Sequence, residues 1–378
     1  MAFILQFSPR QTSAPVRAAL SLLSALALAG VLGSLVFALA GADAGAAWRA
    51  MAEGALGSGY SASEILIKAA PLALTGLAVA LGCRLNLWNV GAEGQFVFGA
   101  LGAGYVGLHL APGLPPHLLL PLALVAGALG GAAWALGPAL LRARLGVSEI
   151  LSTLLLNYVA LLYMEHLSYG PWRDPAGLGF PGTAELPQAA WLPAILPTLP
   201  ASTFGARVHW GLPLALGLAL ALWFLLARTR WGFRARVLGL SPKAAAYAGF
   251  RAARITVTAL CLSGALAGLA GAGELLGVQH RIQDGLASGL GFAGIVVAFL
   301  ARLNVLAVPF AALFLGALLV GADQLQTELR LPGAATLALE AALLFGALLG
   351  EFLAANRIRL VRTPAREDRE AGEVRHVS

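Results

Sequence analysis

Apolar runs of about twenty residues recur along this chain, and in lipid such runs are compatible only with folds that satisfy every backbone hydrogen bond internally. They lie at 18–40, 65–82, 96–110, 118–141, 150–166, 210–227, 255–273, 289–301, 305–322 and 335–353. Only 11% of the 378 residues are charged and 59% are hydrophobic, too few charges to solvate a globular surface. The expectation is an all-α membrane protein of about ten transmembrane helices. The first run follows Arg10 and Arg17 but is longer than a cleavable signal core, so it is read as a retained helix.

Charge then sets the orientation. With the N-terminus inside and the spans alternating, 19 of the 25 Lys and Arg fall inside. Arg49, Lys68, Arg173, Arg207, Arg281 and Arg330 fall outside. Both N- and C-termini are therefore expected to be cytosolic. The expected divisions are a cytosolic N-terminus over 1–17, a transmembrane permease domain over 18–362 and a solvated tail over 363–378. The formal net charge is +7, but the bases sit at the ends of apolar segments without interleaved aromatics, which excludes nucleic acid as a partner. Cys83 and Cys261 lie in apolar runs and read as packed small hydrophobes.

The loop 228–254 carries seven bases and no acid. Ser241 suits an N-cap, Pro242 the first helical position and Gly249 a left-handed C-terminal stop, so a short helix is predicted from Pro242 to Ala248. Two readings stay open on composition: docking of a soluble partner, or contact with anionic lipid headgroups. The interval 167–209 is expected outside, and its spaced prolines suggest an ordered cap, either a landing surface or a connector.

Three polar clusters interrupt the apolar pattern. Asn86, Asn89, Glu93 and Gln95, with Gly91 and Gly94, form a poor continuous span and suggest a broken segment beside a pathway, with an ordinary turn as the alternative. Glu149 precedes a run that contains Asn157, and Glu149 suits the helix dipole. Gln279 and His280, near Glu274, are candidates for an external vestibule. No catalytic constellation, phosphate loop or metal-ligand spacing is present, so any ATPase must be another polypeptide. Ion coupling would need mid-span carboxylates, for which only Glu340 and Asp323 come near.

Several strings resemble the ABC importer permeases of the nucleoside and simple-sugar group, relatives of ribose and branched-chain amino acid permeases. They are Pro71-Leu72-Ala73-Leu74-Thr75-Gly76, Leu87-Trp88-Asn89-Val90-Gly91-Ala92-Glu93-Gly94-Gln95, Glu149-Ile150-Leu151-Ser152-Thr153 and Arg236-Val237-Leu238-Gly239-Leu240-Ser241-Pro242, followed by Gly264 to Gly271 and Gly291 to Ile295. The likeness runs from about Pro71 to Arg302, with Ser241 in place of the usual Asn, Phe250 of Ile and Ser148 of Asn.

The resemblance implies a type II importer fold and a transport subunit rather than an enzyme, seated in the cytoplasmic (inner) membrane. It further implies an ABC ATPase carrying ATP and Mg, a second homologous permease and an external substrate-binding lipoprotein, with no cofactor or metal on this chain. Coupling to the ATPase would fall to Arg236, Gly239, Ser241, Pro242, Ala244, Ala245, Tyr247 and Gly249. The translocation pathway would fall to Asn86, Asn89, Glu93, Gln95 and Asn157, and the small-molecule substrate would be a nucleoside. The alternatives are a simple sugar, an ion-coupled secondary transporter and a non-transporting membrane scaffold.

Overall fold

The computed structural model describes residues 2–9, 14–196, 204, 205, 207–331 and 333–363. The expected tail beyond Thr363 and part of the N-terminal segment lie outside the described residues. In chain order the elements are β1 (Ala2–Pro9), α1 (Ala14–Leu39), α2 (Ala44–Leu56), α3 (Gly59–Arg84), α4 (Ala92–Tyr105), α5 (Pro116–Leu145) and α6 (Glu149–Tyr169). Then follow α7 (Gly211–Arg228), α8 (Arg230–Leu240), α9 (Pro242–Tyr247), α10 (Ala252–Glu274), α11 (Leu290–Leu300), α12 (Val308–Glu328), α13 (Ala334–Ala355) and β2 (Asn356–Thr363). Each of the ten apolar runs coincides with a helix.

Six helices among the described residues, α3, α5, α6, α7, α10 with its π-helical extension, and α12, are long and apolar enough to cross a membrane. At 1.5 Å per residue the 11 residues of α11 reach only about 16 Å, half of a hydrocarbon core. The 14 residues of α4 reach about 21 Å before a π-helical turn at Val106–Leu110.

The chain divides into two compact units, Met1–Ala44 with Leu337–Ser378, and Gly45–Thr336. In the first, β1 and β2 pair antiparallel from Ala2 opposite Thr363 to Pro9 opposite Asn356. This ribbon is a small addition to a chain whose other described elements are all helical, as expected. Its cause is legible afterwards: Arg357, Arg359 and Arg362 alternate with Ile358 and Leu360, a period of nearly two that suits an extended ribbon.

In the second unit α3 is the axis. Every residue from Ala69 to Cys83 is buried, as expected of a helix apolar on all sides that other helices surround. Pro71 sits inside it, and the Thr75 hydroxyl reaches back to the Pro71 carbonyl at 3.0 Å and across to the Leu290 carbonyl at 3.1 Å. The threonine side chain thereby ties the turn after the proline to the start of α11.

Close packing of α4, α5 and α10 rests on glycines four apart, Gly127 with Gly131 and Gly264 with Gly268. A Cβ on Gly99 would stand 2.1 Å from the Gly268 carbonyl oxygen, and one on Gly131 would stand 2.2 Å from that of Gly264. Water supplies no drive between helices in lipid, so such backbone approach is where dispersion is gained.

Candidate functional site

The segment between α3 and α4 gathers most of the predicted polar residues into one buried cluster. Asn89 is 1% exposed and forms a reciprocal pair with Gln95: its Nδ2 donates to Oε1 at 2.7 Å, and Gln95 Nε2 returns a bond to Asn89 Oδ1 at 3.0 Å. Asn89 Nδ2 also donates to Ser263 Oγ on α10, and that hydroxyl donates to the Ala78 carbonyl at 2.6 Å. Asn157 on α6 closes the other flank, accepting from the Gly94 amide and donating to the Val90 carbonyl, both at 2.9 Å. One side chain thereby straddles the break in the backbone. The glycines here are required by space, since a Cβ on Gly91 would meet Thr153 at 2.7 Å.

Glu93 does something different. Its carboxylate, buried at 3% exposure, accepts from the amides of Gly289 at 2.9 Å, Gly291 at 2.7 Å and Phe292 at 3.2 Å. These are donors at the start of α11, whose own cap residue is a glycine with no side chain to offer. Glu93 therefore caps α11 from another helix, supplying both the acceptors and the negative charge that a helix N-terminus favours. Gly291 is obligatory at that approach, since its Cβ would lie 2.4 Å from Glu93 Cα.

Asn86 lies apart from this cluster. It is exposed, adopts a left-handed φ of 54°, and donates to the Gly239 carbonyl at the end of α8 at 2.7 Å. Gly239 is buried there because a Cβ would stand 2.5 Å from the Arg84 carbonyl. Arg84 Nε donates to the Leu303 carbonyl at 3.0 Å, and Trp88 stacks on Phe299 at 5.8 Å. Glu149 joins the same end, accepting from the Trp88 amide and pairing with Arg142, each at 3.2 Å. Residues 84–89 thus connect the basic loop, the far end of α11 and the polar cluster.

The predicted short helix in the basic loop is present as α9. Ser241 caps it, accepting from the Ala244 amide at 3.2 Å, and Pro242 opens it. The Gly249 amide bonds to the Ala246 carbonyl and the Phe250 amide to that of Ala245, with Gly249 at φ 71°. That is a complete Schellman stop. Ala245 is 0% exposed and packs into its own chain, so the outward surface of α9 is narrower than its alanine content suggested. Pro242, Ala244 and Gly249 are exposed, and Tyr247 at 98% presents its whole ring. Arg236 is exposed and donates to the Leu226 carbonyl at 3.3 Å. Ser148, by contrast, makes no side-chain cap on α6.

At the other end of the second unit, the interval 167–209 is stitched to the segment after α10. Thr183, Leu186 and Leu192 donate backbone amides to Ile282, His280 and Leu276 at 2.9, 2.8 and 2.8 Å. His280 stacks on Trp191 with ring centroids 3.8 Å apart, and Gln279 donates to Glu274 and to the Leu286 carbonyl. His209 Nδ1 accepts from the Gly211 amide at 3.1 Å, which places the proton of the neutral ring on Nε2. Burial, and then the neighbouring His280, pull its pKa down to about 4. Burial lowers His280 as well.

Sequence reasoning did not single out Ser263, Thr75, Trp191 or His209. A serine or threonine within an apolar run is the signal that marks the first two. Asp323, a candidate for ion coupling, is ion-paired with Lys68 at 2.8 Å. The side chain of Glu340 lies outside the described residues. No group of His, Cys, Asp and Glu among the described residues has the arrangement of a metal site.

Comparison with known proteins agrees with this architecture. Residues 61–352 match the family described as "Branched-chain amino acid transport system / permease component". The chain is 34% identical to the glucose ABC transporter permease protein TsgB13 of Haloferax volcanii, over 94% of this chain and 93% of that protein. It is 33% identical to the guanosine ABC transporter permease protein NupP of Bacillus subtilis, over 82% and 87% respectively. With the nucleoside ABC transporter permease protein NupB of Lactococcus lactis it shares 30% identity over 72% and 75%. No solved structure matches the chain. The chain belongs to the branched-chain amino acid transport system permease family, the inner-membrane subunits of ABC transporters whose ATP is hydrolysed by a separate subunit.

Proposed function

We propose that this chain carries nucleosides inward across the cytoplasmic membrane, as one of two homologous permeases above a pair of ABC ATPase domains and below an external substrate-binding lipoprotein. The nucleoside assignment rests on the guanosine and nucleoside permeases among its relatives. A simple sugar is the second reading, favoured by the glucose permease that aligns along 94% of this chain. Both substrates carry a polyhydroxylated ring.

The observation that carries the mechanism is the chain of contacts from α9 to α11. A displacement of α8 and α9 by the ATPase reaches residues 84–89 through Asn86 and Gly239, then α11 through Glu93. On this reading Arg236, Gly239, Ser241, Pro242, Ala244, Ala245, Tyr247 and Gly249 form the coupling element. Tyr247 makes the outward contact, and Ala245 seats the helix on its own chain.

Asn89, Glu93, Gln95 and Asn157 spend their hydrogen bonds on the protein and so shape the segment that borders the pathway, while Gln279 and His280 frame the external vestibule. The organisation proposed is a ten-span type II fold over 18–362, an external loop at 167–209, a coupling loop at 228–254 and a solvated tail at 363–378. Antiparallel pairing of β1 with β2 supports termini on one side, here the cytosol. No cofactor is assigned to this chain.

The test is uptake into proteoliposomes of the assembled transporter with its binding protein, using labelled guanosine, uridine and glucose. ATP-dependent guanosine or uridine accumulation, outcompeted by other nucleosides and not by glucose, is expected. Glucose uptake alone would move the assignment to sugars, and uptake without ATP would remove the ABC mechanism.

A further inference from the structure

Beside α9 lies a cavity of about 480 Å³ that borders the coupling residue Gly249 and is lined by Trp231, Arg234, Phe250, Arg251, Arg254 and Thr258 among others. Its three guanidiniums come from α8, the turn after α9 and the first turn of α10, and all three residues are exposed. No carboxylate lines it, and the loop 228–254 contains none. Arg234 also lies over the Phe250 ring at 5.6 Å. A converging set of positive charges without counter-charge calls for an anion.

The position of the cavity narrows the choice. Its lining runs from Trp231 and Arg234 on α8 through the turn after α9 to Thr258, nearly two turns inside the membrane-spanning helix α10. Trp231 stands at that boundary, donating its indole N–H to Thr258 Oγ1 at 3.1 Å. Indole rings favour the headgroup level of a bilayer. A soluble anion would need only the arginine end, whereas a ligand with a phosphate joined to glycerol and acyl chains uses both ends.

We infer that this cavity binds the headgroup of an anionic phospholipid, its phosphodiester held by Arg234, Arg251 and Arg254 and its glycerol region lying against Trp231, Ile255 and Thr258. The lipid would then border the α9 stop at Gly249 and Phe250, so that the bilayer contributes to holding the coupling turn in place. The inference takes the leaflet from the inside placement of the loop and nothing from the substrate.

The full-length chain is reconstituted in phosphatidylcholine nanodiscs doped with brominated phosphatidylglycerol or, at equal mole fraction, brominated phosphatidylcholine. The fluorescence difference between wild type and Trp231→Phe isolates Trp231. Quenching at about fivefold lower mole fraction for the phosphatidylglycerol is expected, in line with the attraction of arginines to anionic lipid. That preference should be lost in the triple variant Arg234→Gln, Arg251→Gln, Arg254→Gln.

Should the triple variant not reconstitute, Arg251→Gln alone, a change in the turn outside the helix body, must weaken the preference. Equal quenching by the two lipids overturns the inference, as does a variant that keeps the preference. Millimolar glycerol 3-phosphate that erases the preference assigns the cavity to a free anion instead. Loss of quenching on co-assembly with the ATPase assigns it to that partner.

Discussion

The side-chain amide of Asn86 donates to the backbone carbonyl of Gly239 across 2.7 Å, joining the segment after α3 to the end of α8. Both partners are shaped for it: Asn86 takes a left-handed backbone that asparagine tolerates, and Gly239 leaves room for the Arg84 carbonyl. The bond lies between the proposed ATPase contact and the buried polar cluster. Asn86→Gly keeps the left-handed backbone and removes only the amide. It is expected to cost about 1 kcal/mol of stability yet lower substrate-stimulated ATPase activity severalfold in the reconstituted transporter.

Glu93 holds three amides of the α11 start. Glu93→Ala leaves the buried Gly291 amide without a partner, at about 1–3 kcal/mol, and uncaps the part-buried amides of Gly289 and Phe292. Glu93→Gln keeps one acceptor oxygen but turns an amide donor toward other donors. The expected order of melting temperature in detergent is wild type, then Glu93→Gln, then Glu93→Ala. A Glu93→Ala protein as stable as wild type would remove the cap.

Glycine packing separates two classes of substitution. Gly99→Ala drives a methyl into the Gly268 carbonyl at 2.1 Å, backbone against backbone, and should destabilise by about 3 kcal/mol or more. Gly273→Ala, also helical but with nothing within 4 Å, should be neutral or stabilising by about 0.5–1 kcal/mol. Thermal unfolding of the pair in one detergent decides this.

His209 gives a pH dependence with a definite sign. Its folded pKa, about 4, lies below the ordinary 6.5, so between those values the unfolded chain binds the proton more readily. Stability is therefore full above pH 6.5 and falls as pH drops toward 4, by about 3 kcal/mol in total at 1.36 kcal/mol per unit. His209→Asn should flatten that part of the melting-temperature profile. An unchanged profile would mean the acid sensitivity arises elsewhere.

What could be read from the sequence was local. Ser241, Pro242 and Gly249 lie within nine positions, and each acts through backbone geometry it controls itself, so α9 was legible with its cap and its stop. The apolar runs located the helices for the same reason, although 289–301, counted there as a span, folds as the 11-residue α11. The partners of Glu93 were not legible, because Gly289, Gly291 and Phe292 are nearly two hundred positions away and only the packed fold brings them together.

Asn89, Gln95 and Asn157 were recognisable as polar residues needing partners, but nothing in the pattern says whether a partner is protein or substrate. Ala245 shows the same limit, since one residue in a run of alanines faces inward and composition cannot say which. Pairing of β1 with β2 joins opposite ends of the chain and left only the weak alternation of Arg357, Arg359 and Arg362 as a trace.

The central claim is that α9 receives the ATPase through Tyr247. Its most direct test replaces Tyr247 with a benzophenone amino acid and irradiates the assembled transporter in membranes. The account predicts a covalent adduct with the ATPase subunit, changing in yield between ATP-bound and nucleotide-free states. An adduct with lipid alone, or none with the ATPase in either state, would contradict it.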